Sequence, residues 1–188
     1  RRRRLHRDGS GSRLQILGQL MQRRKLLWQL FPSYLLITII AVVAVSLYSY
    51  VALRDFYLDE TVTALTARAR LLSERTLPLI EAGNDEALDD LARELGPAVS
   101  TRITVIAPSG VVLADSEEDR AAMDNHADRP EVFAAMTGEV GVSRRYSYTL
   151  ETNMMYVAVP VMTDSDVAAV VRTSVPLTAT ERRLRDVQ

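Results

Sequence analysis

The sequence predicts an α+β domain of about 120 residues that follows a single membrane-spanning helix. Three observations lead to this fold class. An uncharged run of 28 residues lies between Lys25 and Arg54. Apolar residues then recur with helical spacing, and after Pro97 short β-branched runs alternate with turn residues. Two helices followed by five short strands are typical of helices packed on a five-stranded antiparallel sheet.

Residues 26–53 are predicted to cross the membrane, because an apolar run of this length spans a bilayer with some tilt. Residues 1–25 hold nine of the 23 Lys and Arg and one acid, whereas the residues after the run hold 14 Arg and 23 Asp and Glu. Basic flanks stay in the cytoplasm. We therefore expect a basic cytoplasmic tail (1–25), an inner or plasma membrane location, and an extracytoplasmic segment (54–188). A cleaved signal peptide is the alternative, but both its parts would be unusually long here.

A helix is predicted to continue beyond the membrane, with Leu58, Val62, Leu65, Ala69 and Leu72 on one face at spacings of four and three. This apolar face has two interpretations. It packs against its own domain, which we favour, or it forms a seam with a partner helix in a homodimer. The sequence contains no cysteine, so the domain must be held by a packed core without disulfides.

The remaining elements follow from caps and turns. The first helix should end near Pro78–Gly83, and Asn84 should cap a second helix that stops at Gly96-Pro97. Strands are predicted at 102–107, 111–116, 142–150, 153–162 and 167–177, with a short helix at 130–136 after a polar segment. The predicted domain spans residues 54–177. Residues 178–188 have the spacing of a capping box and should begin an exit helix toward a second membrane span.

The run Asn125-His126-x-x-Arg129-Pro130-Glu131-Val132, together with the hairpin sequence from Val105 to Ser116, resembles the extracytoplasmic PAS/Cache-like sensor region of PhoR-type sensor histidine kinases. The resemblance covers about residues 26–188. It implies the sensory input region of a two-component kinase, linked to phosphate starvation, in which a ligand, a partner or the state of the cell envelope moves the membrane helices. It also implies a homodimer and a response regulator reached through a C-terminal part.

The chain itself carries none of the kinase motifs: there is no phosphoacceptor helix and no ATP-binding signature, and the two histidines are His6 and His126. We therefore expect no catalytic residue and no cofactor here, with ATP used by the kinase part. Two alternatives stay open. The region could serve a methyl-accepting chemoreceptor, or it could be a protein-interaction module without a small-molecule ligand, regulated by an accessory membrane protein.

Six residues are candidates for binding a small anion. Arginine offers a two-pronged donor for carboxylate or phosphate, and histidine titrates near neutral pH. The candidates share a polar segment or alternate along neighbouring strands: His126, Arg129, Arg144, Tyr146, Tyr148 and Tyr156. The alternative for the first two is a structural clamp, in which Arg129 pairs with Asp124 or Glu131 and His126 bonds backbone carbonyls.

Other site chemistries find little support. The acidic cluster at Asp115, Glu117, Glu118 and Asp119 lacks the spacing of a calcium loop, and we interpret it as a solvated loop. A zinc site is not expected where His126 is the only histidine and cysteine is absent. No catalytic triad, phosphate-binding loop or basic nucleic-acid surface is predicted in the exported part.

Overall fold

The structure is a computed structural model that describes residues 11–147 and 151–177, with side chains described from Phe31 onward. The chain divides into two units, Arg1–Arg54 and Asp55–Gln188. The exit helix predicted at 178–188 lies outside the described residues, as does the start of the basic tail. The helices are α1 (Gly11–Glu81), α2 (Asp85–Ala98) and α3 (Pro130–Met136), and a 3₁₀ turn spans Arg120–Ala122.

In the part of the chain that the structure describes, α1 supplies the one segment that is long and apolar enough to cross a membrane. Every residue from Phe31 to Leu53 is exposed. Such an apolar surface is stable in lipid and costly in water. The predicted continuation of the helix beyond this segment is confirmed, because α1 ends at Glu81.

The outer part of α1 packs against its own domain. Leu58, Leu65, Ala69 and Leu72 are buried in one core together with Leu88 of α2 and the facing strands. The Oγ1 hydroxyl of Thr173 also donates to the Leu65 carbonyl at 3.2 Å. The predicted apolar face is therefore confirmed as a core surface. The hypothesis that this same face is a dimer seam is wrong, since its side chains are already covered.

α2 begins as the sequence predicts, with the Asn84 Oδ1 accepting from the Ala87 N–H at 3.1 Å. Its end differs from the prediction. The helix continues through Pro97 to Ala98, because a proline in the last turn removes only its own N–H bond and Gly96 lies buried against Ser116.

The sheet order is β2-β1-β5-β4-β3, and all neighbouring pairs are antiparallel. The strands are β1 (Arg102–Ile106), β2 (Val112–Asp115), β3 (Gly141–Ser147), β4 (Thr152–Met162) and β5 (Val167–Pro176). Side chains alternate between the two faces of a strand. On β5, Val171 and Thr173 therefore belong to the face that packs against α1 and α2. Arg172 and Ser174 belong to the opposite face.

The opposite face is divided between an apolar half and a polar half. α3 covers the apolar half, where Val132 and Ala135 pack against Ile106, Ala158 and Val170. Gly141 allows the close approach of α3 to β3, because a side chain there would collide with the Glu131 backbone. The polar half faces the segment between β2 and α3, and a cavity lies between the two.

Candidate anion-binding cavity on the sheet

A cavity of about 720 Å³ lies between the polar half of the sheet and the segment that joins β2 to α3. Basic side chains from three strands and from that segment line it: Arg102 of β1, Arg145 of β3, Arg172 of β5, and His126 and Arg129 of the segment. Met154, Tyr156 and Ser174 complete its floor, and Glu118, Asp119 and Asp124 contribute at the segment. The volume is in the range of small-molecule sites.

Strand register brings these side chains together. Arg102 of β1 is paired with Ser174 of β5, and Ser174 is in turn paired with Tyr156 of β4. Arg145 of β3 is paired with Met154 of β4. Paired residues in an antiparallel sheet share a face. Four strands therefore present side chains to one surface, and the other face of β1, β4 and β5 contributes to the apolar core.

Arg102 has a carboxylate partner beneath the cavity. Its Nε donates to the Asp115 Oδ1 and Oδ2 at 3.1 and 3.2 Å, and Asp115 is fully buried. The Thr104 Oγ1 hydroxyl donates to the same carboxylate at 2.7 Å. Because Asp115 also accepts two backbone N–H bonds from Glu117 and Glu118 at 3.0 Å, its lone pairs are well satisfied.

Arg145 and Arg172 share one carboxylate. Glu131, on the first turn of α3, is fully buried and lies 3.0 Å from Arg145 Nη2 and 3.6 Å from Arg172 Nη1. Both guanidiniums also lie over the Tyr156 ring, at 4.3 Å for Arg145 and 5.2 Å for Arg172. Two positive charges thus face one negative charge and one aromatic face. Burial is the main reason that the pKa of Arg172 is lowered to about 10, although Glu131 and Tyr156 favour its charged form.

Arg129 has a weaker partner. Its Nε lies 3.5 Å from the Asp128 Oδ1, and that carboxylate is 79% exposed. His126, next along the cavity wall, is 8% exposed. Burial lowers the pKa of His126 below its usual 6.5, and the charges of Arg172 and then Arg129 lower it further. The backbone carbonyls of Asp124 and Asn125 act in the opposite direction without reversing the shift.

Buried polar atoms without a hydrogen-bond partner are concentrated at this cavity. Within residues 31–147 and 151–177, four buried side-chain atoms have none: His126 Nδ1, Arg129 Nε, Arg172 Nε and Ser174 Oγ. All four belong to side chains that line the cavity. Such a group costs about 1–3 kcal/mol when it stays unpaired, and native sites satisfy it with water, ions or ligands. The two guanidinium atoms can only donate, so their partner must be an acceptor.

No protein-family model matches the sequence, and no curated protein sequence matches it either. The fold does match solved structures. The sensor domain of the histidine kinase DctB of V. cholerae superposes with a TM-score of 0.57 at 20% identity, over 68% of this chain and 55% of that one. The sensor domain of E. coli DcuS gives 0.52 at 17% identity, over 67% of this chain and 98% of that one.

A third match is the ligand-binding domain of the Campylobacter jejuni chemoreceptor Tlp3, solved with 4-methylisoleucine. It gives a TM-score of 0.54 at 11% identity, over 64% of this chain and 53% of that one. The chain thus spans about half the length of the DctB and Tlp3 structures and nearly all of the DcuS domain. The long N-terminal helix and the five-stranded antiparallel sheet of this chain match Cache/PAS-like sensor domains.

This is a Cache/PAS-like sensor domain fold. The predicted fold class is therefore confirmed. The likeness to PhoR-type kinases in particular is not shown, because the neighbours include both kinase and chemoreceptor domains.

The Cache-like domain brings four of the six predicted binding residues to the cavity: His126, Arg129, Tyr146 and Tyr156. Arg144 is exposed on β3 and does not line the cavity. Its neighbour Arg145, on the other face of β3, does line the cavity. Tyr148 lies outside the described residues.

His126 bonds a backbone carbonyl, as the clamp hypothesis proposes, though through its backbone N–H, and Asn125, which was not part of that hypothesis, adds a second bond. Asn125 Nδ2 donates to the Ser109 carbonyl at 2.9 Å, and the His126 N–H donates to the Gly110 carbonyl at 2.8 Å. These bonds fix the segment to the β1–β2 turn. Arg129 does not pair with Asp124 or Glu131, because Glu131 is turned under α3 toward the strands.

Sequence reasoning missed Arg102, Arg145, Arg172 and Ser174. One signal was available for Arg172, since it stands in the apolar run AAVVRTSV, where a charge is buried only with a partner or a function. Arg145 could not be separated from Arg144 without the register of β3. For metals, the described His, Asp and Glu residues do not come together in any group of three or more that could hold an ion.

Proposed function

We propose that this chain is the sensory input region of a membrane receptor and that its cavity binds a small anion bearing a carboxylate or a phosphate-like group. One observation carries the proposal: the four buried polar side-chain atoms that have no hydrogen-bond partner in the described residues all belong to the lining of one arginine-rich cavity. An anion supplies the acceptor that Arg129 and Arg172 need, and a two-pronged bond to a guanidinium is strong and directional.

The charge balance at the floor of the cavity supports an anionic ligand. The guanidiniums of Arg102, Arg145 and Arg172 lie there over two buried carboxylates, those of Asp115 and Glu131, whereas the acids Glu118, Asp119 and Asp124 line the cavity on the side of the β2–α3 segment. Arg145 and Arg172 share Glu131, and Arg129 has only the exposed Asp128. Positive charge therefore exceeds negative charge at the floor of the cavity, where low solvent access strengthens its attraction for an anion.

The receptor is proposed to be a two-component histidine kinase, as the sequence resemblance and the DctB likeness suggest. A chemoreceptor is the second candidate, and the Tlp3 likeness favours it equally at the level of fold. The output region decides between them: a phosphoacceptor helix with an ATP-binding domain marks the kinase, and a long methylation hairpin marks the chemoreceptor. More narrowly, the receptor is proposed to take part in signalling of phosphate starvation. Phosphate is therefore one of the anions to test.

The apolar part of α1 is proposed to anchor the receptor, with residues 54–188 outside the cytoplasm. The charge asymmetry around the apolar run supports this orientation. A homodimer, a response regulator as downstream partner and a second membrane span remain part of the proposal. Signalling would then consist of a shift between two packed arrangements of the domain that differ in their affinity for the anion.

The test is thermal unfolding of the full chain in detergent micelles, with sulfate, phosphate, mono- and dicarboxylates and amino acids as ligands. An anion that binds should raise the unfolding temperature saturably, since a ligand at 100 times its Kd adds about 2.7 kcal/mol to stability. Arg129→Gln should lose this response. The matched control is Arg144→Gln, which removes an exposed arginine outside the cavity and should keep the response.

Two results would count against the proposal. If no anion of the panel stabilises the chain, the cavity is not an anion receptor, and a protein partner becomes the better candidate for the signal. If Arg144→Gln weakens the response as much as Arg129→Gln does, the stabilisation reflects general charge screening and not binding at this cavity.

A further inference from the structure

We propose that the cavity binds its anion together with one proton, which the imidazole of His126 takes up from solvent. The domain would then respond to the anion and to the external pH as a single combined signal. This inference rests on the anion-binding function proposed above and adds a regulatory property to the same site.

The first argument is the position of His126. The residue is 8% exposed, and its Nδ1 has no hydrogen-bond partner within the described residues. Its backbone is fixed, because its N–H donates to the Gly110 carbonyl at 2.8 Å and its carbonyl accepts from the Arg129 N–H at 3.1 Å. The imidazole is therefore held at the cavity wall with a nitrogen that lacks a partner.

The second argument is the charge around the imidazole. Arg172 of β5 and Arg129 of its own segment both disfavour a positive charge on His126, and burial disfavours it more. Arg102 of β1 and Arg145 of β3 add two further guanidiniums to the same cavity. The acids on the wall are Glu118, Asp119 and Asp124, and they do not offset this effect, since the pKa of His126 stays below its usual value.

An anion reverses this balance. A carboxylate or sulfate group between the guanidiniums neutralises the positive field that keeps the imidazole uncharged. It also offers an oxygen acceptor to Nδ1, which has no hydrogen-bond partner in the described residues, in addition to the backbone carbonyls of Asp124 and Asn125 that already favour the protonated ring. Protonation of His126 is thus more favourable with the anion bound than without it. By linkage, anion binding must then be tighter at the pH where the proton can be taken up.

The direction of the pH effect follows from the two protonation equilibria. Above both pKa values of His126, no proton is bound in either state and the anion affinity is independent of pH. The pKa of His126 is higher with the anion bound than with the cavity empty. As pH falls from the higher pKa to the lower one, the anion affinity rises, by about tenfold for each pH unit between the two pKa values. The pKa of His126 in the empty cavity lies below 6.5, so the affinity should rise as pH falls from about 8 into the mildly acidic range.

The experiment is calorimetric titration of the full chain in micelles with sulfate and with fumarate, at about pH 8 and about pH 5.5. Sulfate stays fully ionised across this range, so with sulfate any proton that is exchanged belongs to the protein. We expect the Kd to fall several-fold at the lower pH, with proton uptake seen in buffers of different ionisation enthalpy. His126→Gln should bind with a Kd that is independent of pH in this range.

His6→Gln is the matched control, because His6 is the only other histidine in the sequence and the chemical change is the same. This variant should keep the pH dependence. The imidazole signals of the two histidines in an NMR titration give a second readout, in which the midpoint of His126 should move upward when sulfate or fumarate is added.

The outcomes separate the two proposals. Binding that is equally tight at both pH values, with an unmoved His126 midpoint, would overturn proton coupling and leave the anion-receptor function standing. A pH dependence that survives in His126→Gln would also overturn it. If no anion binds at either pH, the receptor function itself fails and the coupling fails with it.

Discussion

The Glu131 carboxylate meets the Arg145 guanidinium at two points, with Oε1 3.0 Å from Nη2 and Oε2 3.4 Å from Nη1. The same Oε1 lies 3.6 Å from Nη1 of Arg172. Glu131 lies in the first turn of α3, and the two arginines lie on β3 and β5. One buried acid therefore ties the helix to two strands and holds two guanidiniums at the floor of the cavity.

Replacing Glu131 with Gln should destabilise the domain by about 3 kcal/mol, because it leaves two guanidiniums near the core without their carboxylate. This loss is at the lower end of what removal of one partner from a buried ion pair usually costs, because the Arg145 side chain is still 26% exposed. Chemical denaturation of the chain in micelles measures the change. Glu139→Gln, an exposed acid a few residues beyond the end of α3, is the control and should shift stability by less than about 0.5 kcal/mol. If Glu131→Gln changes stability as little as Glu139→Gln does, the contacts of Glu131 with the two arginines contribute nothing to stability.

Leu65→Ala should lower the free energy of unfolding by about 2–5 kcal/mol, because Leu65 is fully buried between α1 and the sheet. Leu71→Ala removes the same atoms from a side chain on the same helix that is 67% exposed, and it should be nearly neutral. The measurement is thermal or chemical unfolding with the oligomeric state followed in parallel. A Leu65→Ala chain that dissociates without losing stability would restore the seam interpretation of this face.

Acidification should destabilise the empty domain through His126. Its folded pKa is lowered, by burial first and then by Arg172 and Arg129, so near neutral pH the unfolded chain takes up the proton first. Stability is therefore fully present above the unfolded value of about 6.5 and is lost as pH falls from there toward the folded value. Unfolding curves between about pH 8 and about pH 5.5 without added anion test this. In His126→Gln the slope in this range should be reduced, and an unchanged slope would exclude His126 as its source.

Orientation in the membrane can be tested because the sequence contains no cysteine. A single cysteine introduced by Ser165→Cys, at the exposed turn between β4 and β5, should react with a membrane-impermeant maleimide in right-side-out vesicles. Ser12→Cys, in the basic segment before the apolar run, is the counterpart and should react only in inverted vesicles. The opposite pattern would contradict the proposed topology.

The elements of the fold could be predicted from the sequence because their signals are local. Apolar spacing predicts the buried face of α1, Asn84 predicts the start of α2, and Pro130 predicts the start of α3. The end of α2 was misplaced because packing around Gly96 tolerates Pro97 in the last turn.

The cavity was predicted less completely, because it depends on which residues share a sheet face. His126 and Arg129 were found through their polar segment, whereas the choice between Arg144 and Arg145 depends on the pairing of Arg145 with Met154 across β3 and β4. Arg172 reaches the cavity from the central strand, about 70 residues along the chain from Arg102 on the neighbouring strand. Residues so far apart in the sequence form no local pattern, so their meeting in one cavity could not be predicted from spacing.

The central claim is that a small anion binds between the guanidiniums of this cavity, and a structure of the chain with a bound anion tests it most directly. The anion to use is the one that stabilises the chain most in the thermal panel, supplied at saturating concentration. We expect the anion to lie beside the Tyr156 ring and to accept hydrogen bonds from the Nε atoms of Arg129 and Arg172. An anion bound elsewhere, with this cavity left empty at saturation, would contradict the account.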